Sequence, residues 1–274
     1  MKNKKIETFK DFKKQVRKDK LIVILLRSLI VIGFFVLWEV GARLGFLNVF
    51  LVSKPSDVFS LFLTYMKSGE LAKHVGISVY ETIIGLLIGT TSGLIFAIIL
   101  YLLPKLYKIL DPILVVLNAL PKTALAPIII IWVGTGIKGI VAVSVSLSLV
   151  VTIIQAHSYF KSVDAEQVKM LQSYGANKRQ ILFKLVLPGN LSNIISLVKI
   201  NIGLAWVGVI VGEFLVSRGG IGYLVVYGGQ VFKLDLVMMG VLILAVIAFA
   251  MYEILALFEK YLQGRNTKRK KNEI

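Results

Sequence analysis

The stretch ILDPILVVLNALPKTALAPIIIIWV, residues 109–133, decides the fold. It is apolar enough to enter a bilayer, but Pro112, Pro121 and Pro127 interrupt it. A proline inside a helix removes one backbone hydrogen bond and crowds the preceding turn, so the stretch reads either as one kinked span or as two short segments. Length arbitrates. At 1.5 Å per residue the whole stretch reaches roughly 37 Å, enough for a hydrocarbon core about 30 Å thick, and either half alone falls short. The expectation is a single crossing.

Working outward, residues 21–40, 79–103, 139–156, 194–215 and 236–258 are apolar runs of spanning length. With the disputed stretch they make six. The chain of 274 residues is 57% hydrophobic, against roughly 45–50% for an average soluble domain. Lipid accepts that excess on the outer faces of helices, where a single globule of this size has nowhere to bury it. The basic-then-apolar N-terminus has the outline of a secretory signal, but its apolar run continues to Val40 with no small-residue cleavage site, so it reads as a retained helix.

Net charge is +17, which in a soluble domain would suggest nucleic acid. Its distribution argues for a membrane topology and against nucleic acid. An even number of spans puts both termini on one side, and with the termini inside, 22 cations fall inside and seven outside. That is the asymmetry expected of an inner-membrane protein with cytoplasmic loops rich in Lys and Arg. The expected organisation is a basic cytoplasmic tail at 1–20, a transmembrane region at 21–262 with a long inner loop at 160–193, and a second basic cytoplasmic tail at 263–274. Within the second span, Gly85, Gly89, Gly93 and Ala97 recur every four residues and align on one face, where they admit close approach of another backbone. Packing inside one chain is the simpler use of that stripe, and a contact between two copies is the other.

Chemistry is sparse. Cysteine is absent, and His74 and His157 stand alone without a metal-ligand spacing, so no metal is expected. No Gly-Lys pair occurs, and so no phosphate-cradling Gly-x-x-x-x-Gly-Lys-Ser/Thr loop. An enzyme would need converging acid, base, nucleophile or metal groups, which scattered carboxylates and two isolated histidines do not supply. A secondary transporter is the other rival; it often carries ion-coupling carboxylates within the membrane, and it has no need of the inner loop described next.

That loop reads as two short helices. Asp164 with Gln167 resembles a capping box opening the first, Val168 and Leu171 form its apolar stripe, and Gly175 suits the left-handed position that ends it. Asn177 with Gln180 opens the second, Ile181, Leu182, Leu185 and Val186 form its buried side, and Pro188 stops it. Gly175, Leu185, Leu187 and Pro188 fall on the spacing of the cytoplasmic motif of bacterial ABC importer permeases, Glu-Ala-Ala, three residues, Gly, nine residues, Ile-x-Leu-Pro. Lys169, Met170 and Leu171 stand where the motif has Glu-Ala-Ala. The runs Pro121–Pro127, Trp132–Gly136, Gly203–Trp206 and Gly219–Tyr223 further resemble the nitrate, sulfonate and taurine branch of that family. The resemblance covers roughly residues 79–262.

The resemblance implies an all-α membrane protein with the type I ABC importer permease fold and a cytoplasmic coupling helix, lying in the bacterial cytoplasmic membrane. Asp164, Glu166, Lys169, Gly175, Ala176, Leu185, Leu187 and Pro188 would couple it to an ATPase. It implies a homodimer of permeases, two copies of a separate ATPase chain that binds the ATP, and an extracytoplasmic substrate-binding protein. The chain itself would be no enzyme and carry no cofactor. The solute would be a small anion such as a sulfonate, taurine or nitrate, or alternatively a thiamine-precursor pyrimidine.

Charges inside spans cost about 2.5–3.5 kcal/mol each at the helix centre. Arg27, Glu39, Glu81, Lys199 and Glu253 lie near expected span ends, where they can snorkel to headgroups. Lys122 sits between two prolines mid-span, and reads either as the partner of an acid such as Glu213 or as an attractor of an anionic solute. Trp206, between Gly203 and Gly208, is a candidate for narrowing a translocation path, with ordinary packing as the simpler reading. Glu213 is a candidate for a gate with Arg218. The outer segment 217–235 is glycine-rich but contains a short apolar run, read as a re-entrant piece or as a docking surface.

Overall fold

The computed structural model describes residues 9–271, with side-chain surroundings for residues 15–257. The parts of the two expected basic tails beyond those limits lie outside the described residues. Among the described residues the elements are helical throughout. They are α1 (Phe9–Arg43), α2 (Val49–Val52), α3 (Pro55–Ser68), α4 (Glu70–Leu102), α5 (Pro104–Ala119), α6 (Ala126–Val133) and α7 (Ile137–Lys161), then α8 (Ala165–Ser173) and α9 (Lys178–Ile181). A π-helical stretch (Leu182–Val186) leads to α10 (Leu187–Gly189), α11 (Leu191–Val216), α12 (Ile221–Gln230) and α13 (Leu234–Lys271). Five of these helices are long and apolar enough to cross a membrane, in α1, α4, α7, α11 and α13.

The third expected span is not one helix. Residues 109–133 are divided between α5, about 24 Å long, and α6, about 12 Å long. The reason is local. Pro121 disfavours helical geometry in the residue before it, and Leu120 is extended at φ −64°, ψ 138°. A tight turn follows, with Ala124 N donating to Pro121 O at 2.8 Å and Leu125 N to Lys122 O at 3.1 Å. Pro127 then lies in the first turn of α6, where its missing N–H costs nothing. Pro112 remains inside α5.

The centre of the fold is a three-helix contact of α4, α7 and α11, and small residues dictate it. Gly85, Gly89 and Gly93 of α4 face Ser144, Ser148 and Thr152 of α7, so closely that a Cβ at any of the three glycines would overlap the opposing side chain. The constant offset of 59 residues means that α4 and α7 run parallel. Against α7 as well, Gly208 of α11 meets Ser144 and Gly212 meets Ile140, an antiparallel register. The glycine stripe thus serves packing within the chain, the simpler of its two readings. Ala97 continues it at 0% exposure, packed with Ala156, Phe160 and Leu197.

In a bundle without a strong apolar drive between helices, close packing and internal hydrogen bonds provide the cohesion. At mid-depth Asn201 Nδ2 donates to Thr90 Oγ1 at 2.9 Å and Thr152 Oγ1 at 2.7 Å, one bond to each neighbouring helix. Ser144 Oγ donates to Ala205 O at 3.1 Å. The periphery differs. Among the described residues of α1, Trp38 and Ala42 are the buried ones, held where Trp38 Nε1 donates to Ser53 O at 3.2 Å and Ser56 N to Glu39 at 3.0 Å. Glu39 also pairs with Arg43 at 2.6 Å, so its charge is satisfied within the chain.

Candidate functional site

The loop at 160–193 folds as a compact unit packed under the ends of α4 and α7. Asp164 caps α8 by accepting from Glu166 N at 2.9 Å. Gly175 takes φ +81°, and the chain closes around it as a Schellman motif, with Gly175 N donating to Gln172 O at 2.9 Å and Ala176 N to Leu171 O at 3.0 Å. At α9 the capping box is complete: Asn177 Oδ1 accepts from Gln180 N at 2.9 Å, and Gln180 Oε1 accepts from Asn177 N at 2.8 Å. The second helix does not end cleanly at Pro188 as its sequence suggests. It loosens into the π-helical stretch Leu182–Val186 and ends at Asn190. Pro188 has no N–H to give and crowds the carbonyl four residues back, and a wider turn accommodates both.

Ile181, Leu182 and Val186 are buried against Ala156, Phe160 and Leu197, with Val168, Leu171, Ala176, Leu185 and Leu187 packed at the margin. The opposite face is open. Asp164, Glu166, Lys169, Lys178 and Arg179 are exposed, together with Met170 at 53% and Tyr174 at 81%. An apolar pair amid charges on a rigid, internally capped unit is a surface suited to a protein partner. The two roles expected of this loop fall on different residues: Leu185 and Leu187 anchor it, and Lys169 and Met170 face outward.

Lys122, Trp206 and Glu213 are not brought together. Lys122 lies in the turn between α5 and α6, and its Nζ donates to Asn118 O and Oδ1, each at 3.2 Å. It closes the end of α5, where helix carbonyls lack partners, rather than pairing with Glu213. Trp206 is 5% exposed in a cluster with Leu71, Ile202 and Leu224, and its Nε1 donates to Met251 Sδ at 3.1 Å. That is the packing alternative of its two readings.

Glu213 is 1% exposed, and its partners are not Arg218, whose side chain is exposed. Ser78 Oγ donates to Glu213 Oε1 at 2.5 Å and Gly222 N to Oε2 at 2.5 Å. Beside it lies Glu81, also 1% exposed. The expectation that Glu81 snorkels is therefore corrected. In the segment 217–235, Gly220 at φ +104° turns the chain into α12, which packs on α13 with Leu224 at 3% exposure and Ile221 at 0%. His74, Ser78 and Glu81, which carry this outer network, were not singled out as a group by sequence reasoning. Their spacing of three and four residues does put them on one helix face.

Known proteins share these features. The family described as binding-protein-dependent transport system inner membrane component matches residues 85–267. The taurine transport system permease protein TauC of Escherichia coli is 27% identical, over 77% of this chain and 79% of that one. The riboflavin transport system permease protein RibX of Chloroflexus aurantiacus is 31% identical, over 83% and 85%. Among solved structures, a bacterial ABC transporter involved in import of the acidic polysaccharide alginate superposes with a TM-score of 0.63 at 14% identity, over 91% of this chain and 98% of that one.

Proposed function

Because the chain belongs to the family of binding-protein-dependent transport system inner membrane components, and is a multi-pass permease subunit of an ABC importer rather than an enzyme, we propose that it imports a small solute by moving against a separate ATPase gripped at α8 and α9. The observation that carries this reading is the open face of the loop, Lys169, Met170, Tyr174, Lys178 and Arg179, mounted on an apolar anchor that ties it directly to α4, α7 and α11. A push on α8 is transmitted to the three-helix centre because little between them can yield.

The functional unit is a homodimer with two ATPase chains, which bind the ATP, and an extracytoplasmic binding protein that delivers the solute. Both termini and the loop lie in the cytoplasm, and the domain limits are those expected above. The preferred solute is a small organic or inorganic anion such as a sulfonate, taurine or nitrate, a reading supported by likeness to the taurine permease. The alternative solute is a thiamine-precursor pyrimidine or a similar small organic compound, and likeness to the riboflavin permease supports the small organic class. The test is reconstitution of the chain in liposomes with the ATPase and binding protein encoded beside it, following labelled taurine and a labelled pyrimidine. ATP-dependent accumulation that needs all three components is expected. Accumulation by this chain alone would establish a secondary transporter instead.

A further inference from the structure

A helix that begins inside a membrane protein has N–H groups with no partner in its own first turn, and α12 begins among buried residues. Its donors are met from other helices. Gly220 N donates to His74 Nδ1 at 3.0 Å, Ile221 N to Ser78 Oγ at 2.7 Å and Gly222 N to Glu213 Oε2 at 2.5 Å. His74 and Ser78 belong to α4 and Glu213 to α11, so the cap of α12 is supplied entirely by its neighbours. The fit is close: a Cβ at Gly220 would overlap the Glu213 carboxyl, and one at Gly222 would lie 2.8 Å from its Oε2.

The hydrogen-bond inventory assigns the charges. Glu213 accepts from the Ser78 hydroxyl and the Gly222 backbone N–H, both donors, at the positive end of a helix; that set suits a carboxylate. Glu81 lies against it with its Oε2 buried and without a partner. Two carboxylates cannot both ionise in contact in a site closed to water. Among the described residues no cation is placed to relieve them. His74 on α4 accepts a bond at Nδ1 and is therefore neutral, Tyr223 is the titratable group of α12 nearby, and Lys138 and Arg218 have exposed side chains.

We infer that Glu81 holds a proton which it donates to Glu213, and that Glu213 as a carboxylate locks the start of α12 to α4 and α11, so that the outer helix moves with the central bundle during transport. Both are positioning residues. The assignment is independent of the solute carried and of the ATPase partner, and it distinguishes two acids that look alike in the sequence. Gln keeps a donor at position 81 and fills the same volume, whereas Leu fills it without a donor. At position 213 Gln replaces one acceptor oxygen with a donor, which either faces Gly222 N donor to donor or deprives the Ser78 hydroxyl of its acceptor.

The chain has no cysteine of its own, so Leu224→Cys, at a buried position of α12, reports on the lock when treated with an impermeant maleimide in native membranes. In that background E81Q should label as slowly as the parent. E81L, E213Q and S78A should label faster, E213Q by about tenfold or more, as expected when hydrogen bonds to a buried charge are lost. Uptake should follow the same order. The inference is overturned if E81Q labels as fast as E81L, which would mean that a bound cation rather than a proton joins the two acids. It is equally overturned if E213Q and S78A both leave labelling unchanged. Should E213Q fail to accumulate, the E81Q, E81L and S78A comparison decides alone. A failure of uptake with labelling intact would count against the transport reading and leave the lock standing.

Discussion

At the residue scale, small side chains decide how this protein holds together. A Cβ at Gly208 would overlap the Ser144 backbone, with Ser144 N only 2.9 Å away, and backbone inside a packed bundle cannot step aside. Gly208→Ala should therefore destabilise the protein by about 1–3 kcal/mol, the usual cost of overpacking. Gly33→Ala on α1, where nothing lies within 4 Å, should be neutral or slightly stabilising. Thermal unfolding in detergent separates the two; equal melting temperatures would contradict the packing described. Lys122→Gln leaves Asn118 a neutral donor and so should preserve the fold. It should lower uptake of an anionic solute severalfold with ATPase activity retained, and an unchanged rate and solute preference would remove Lys122 from the path. The glycine stripe and the capping residues of the inner loop were legible in the sequence because each depends on spacing within one helix or turn. The role of Glu81 was not. The apolar run suggested a span starting near residue 79, which makes Glu81 an end residue, but α4 begins at Glu70. Glu81 is then about 16 Å into the helix, and its partner is 132 positions away in sequence.

At the element scale, the inner loop is the part most completely readable beforehand, and the third span the least. Both α8 and α9 are bounded by local chemistry: Asp164, the left-handed Gly175, and the Asn177–Gln180 box. The break at 120–125 also has a local cause in Pro121, but length alone favoured continuity, because a total rise says nothing of where the helix is interrupted. The helices α2 and α3, absent from the sequence reading, have little of the apolar length that marks a span; α3 is fixed by burial of Val58 against α13. Gly175 offers the direct test of the loop as a transmitting element. A β-branched side chain at φ +81° costs about 1–2 kcal/mol, enough to loosen the turn between α8 and α9 without unfolding the spans. Gly175→Val should accumulate in membranes at normal levels, while stimulation of the ATPase by loaded binding protein falls about tenfold. Full stimulation would show that the rigidity of this turn does not matter to coupling.

For the whole molecule, the distribution of exposed apolar surface states what the protein lacks when isolated. The faces of α1, α5 and α6 carry large side chains in the open, among them Ile131 at 79% and Trp132 at 80% exposure, whereas α7 is packed against both α4 and α11. Lipid and a second copy are the two covers such faces accept, and either requires that the bundle be correctly oriented in the membrane. The orientation proposed above rests on the excess of cations on the side of the termini and inner loop, 22 against seven. It places Tyr174, 81% exposed on the unit that is to meet the ATPase, in the cytoplasm, and Arg218, exposed before α12, outside. The absence of cysteine makes the pair Tyr174→Cys and Arg218→Cys a clean measurement. In intact cells an impermeant thiol reagent should modify the Arg218→Cys variant and spare the Tyr174→Cys variant, and in inverted vesicles the pattern should reverse. Labelling of the Tyr174→Cys variant in intact cells would put the loop out of reach of any cytosolic ATPase, and the coupling assigned to α8 and α9 would fall even though every contact within the bundle remained as described.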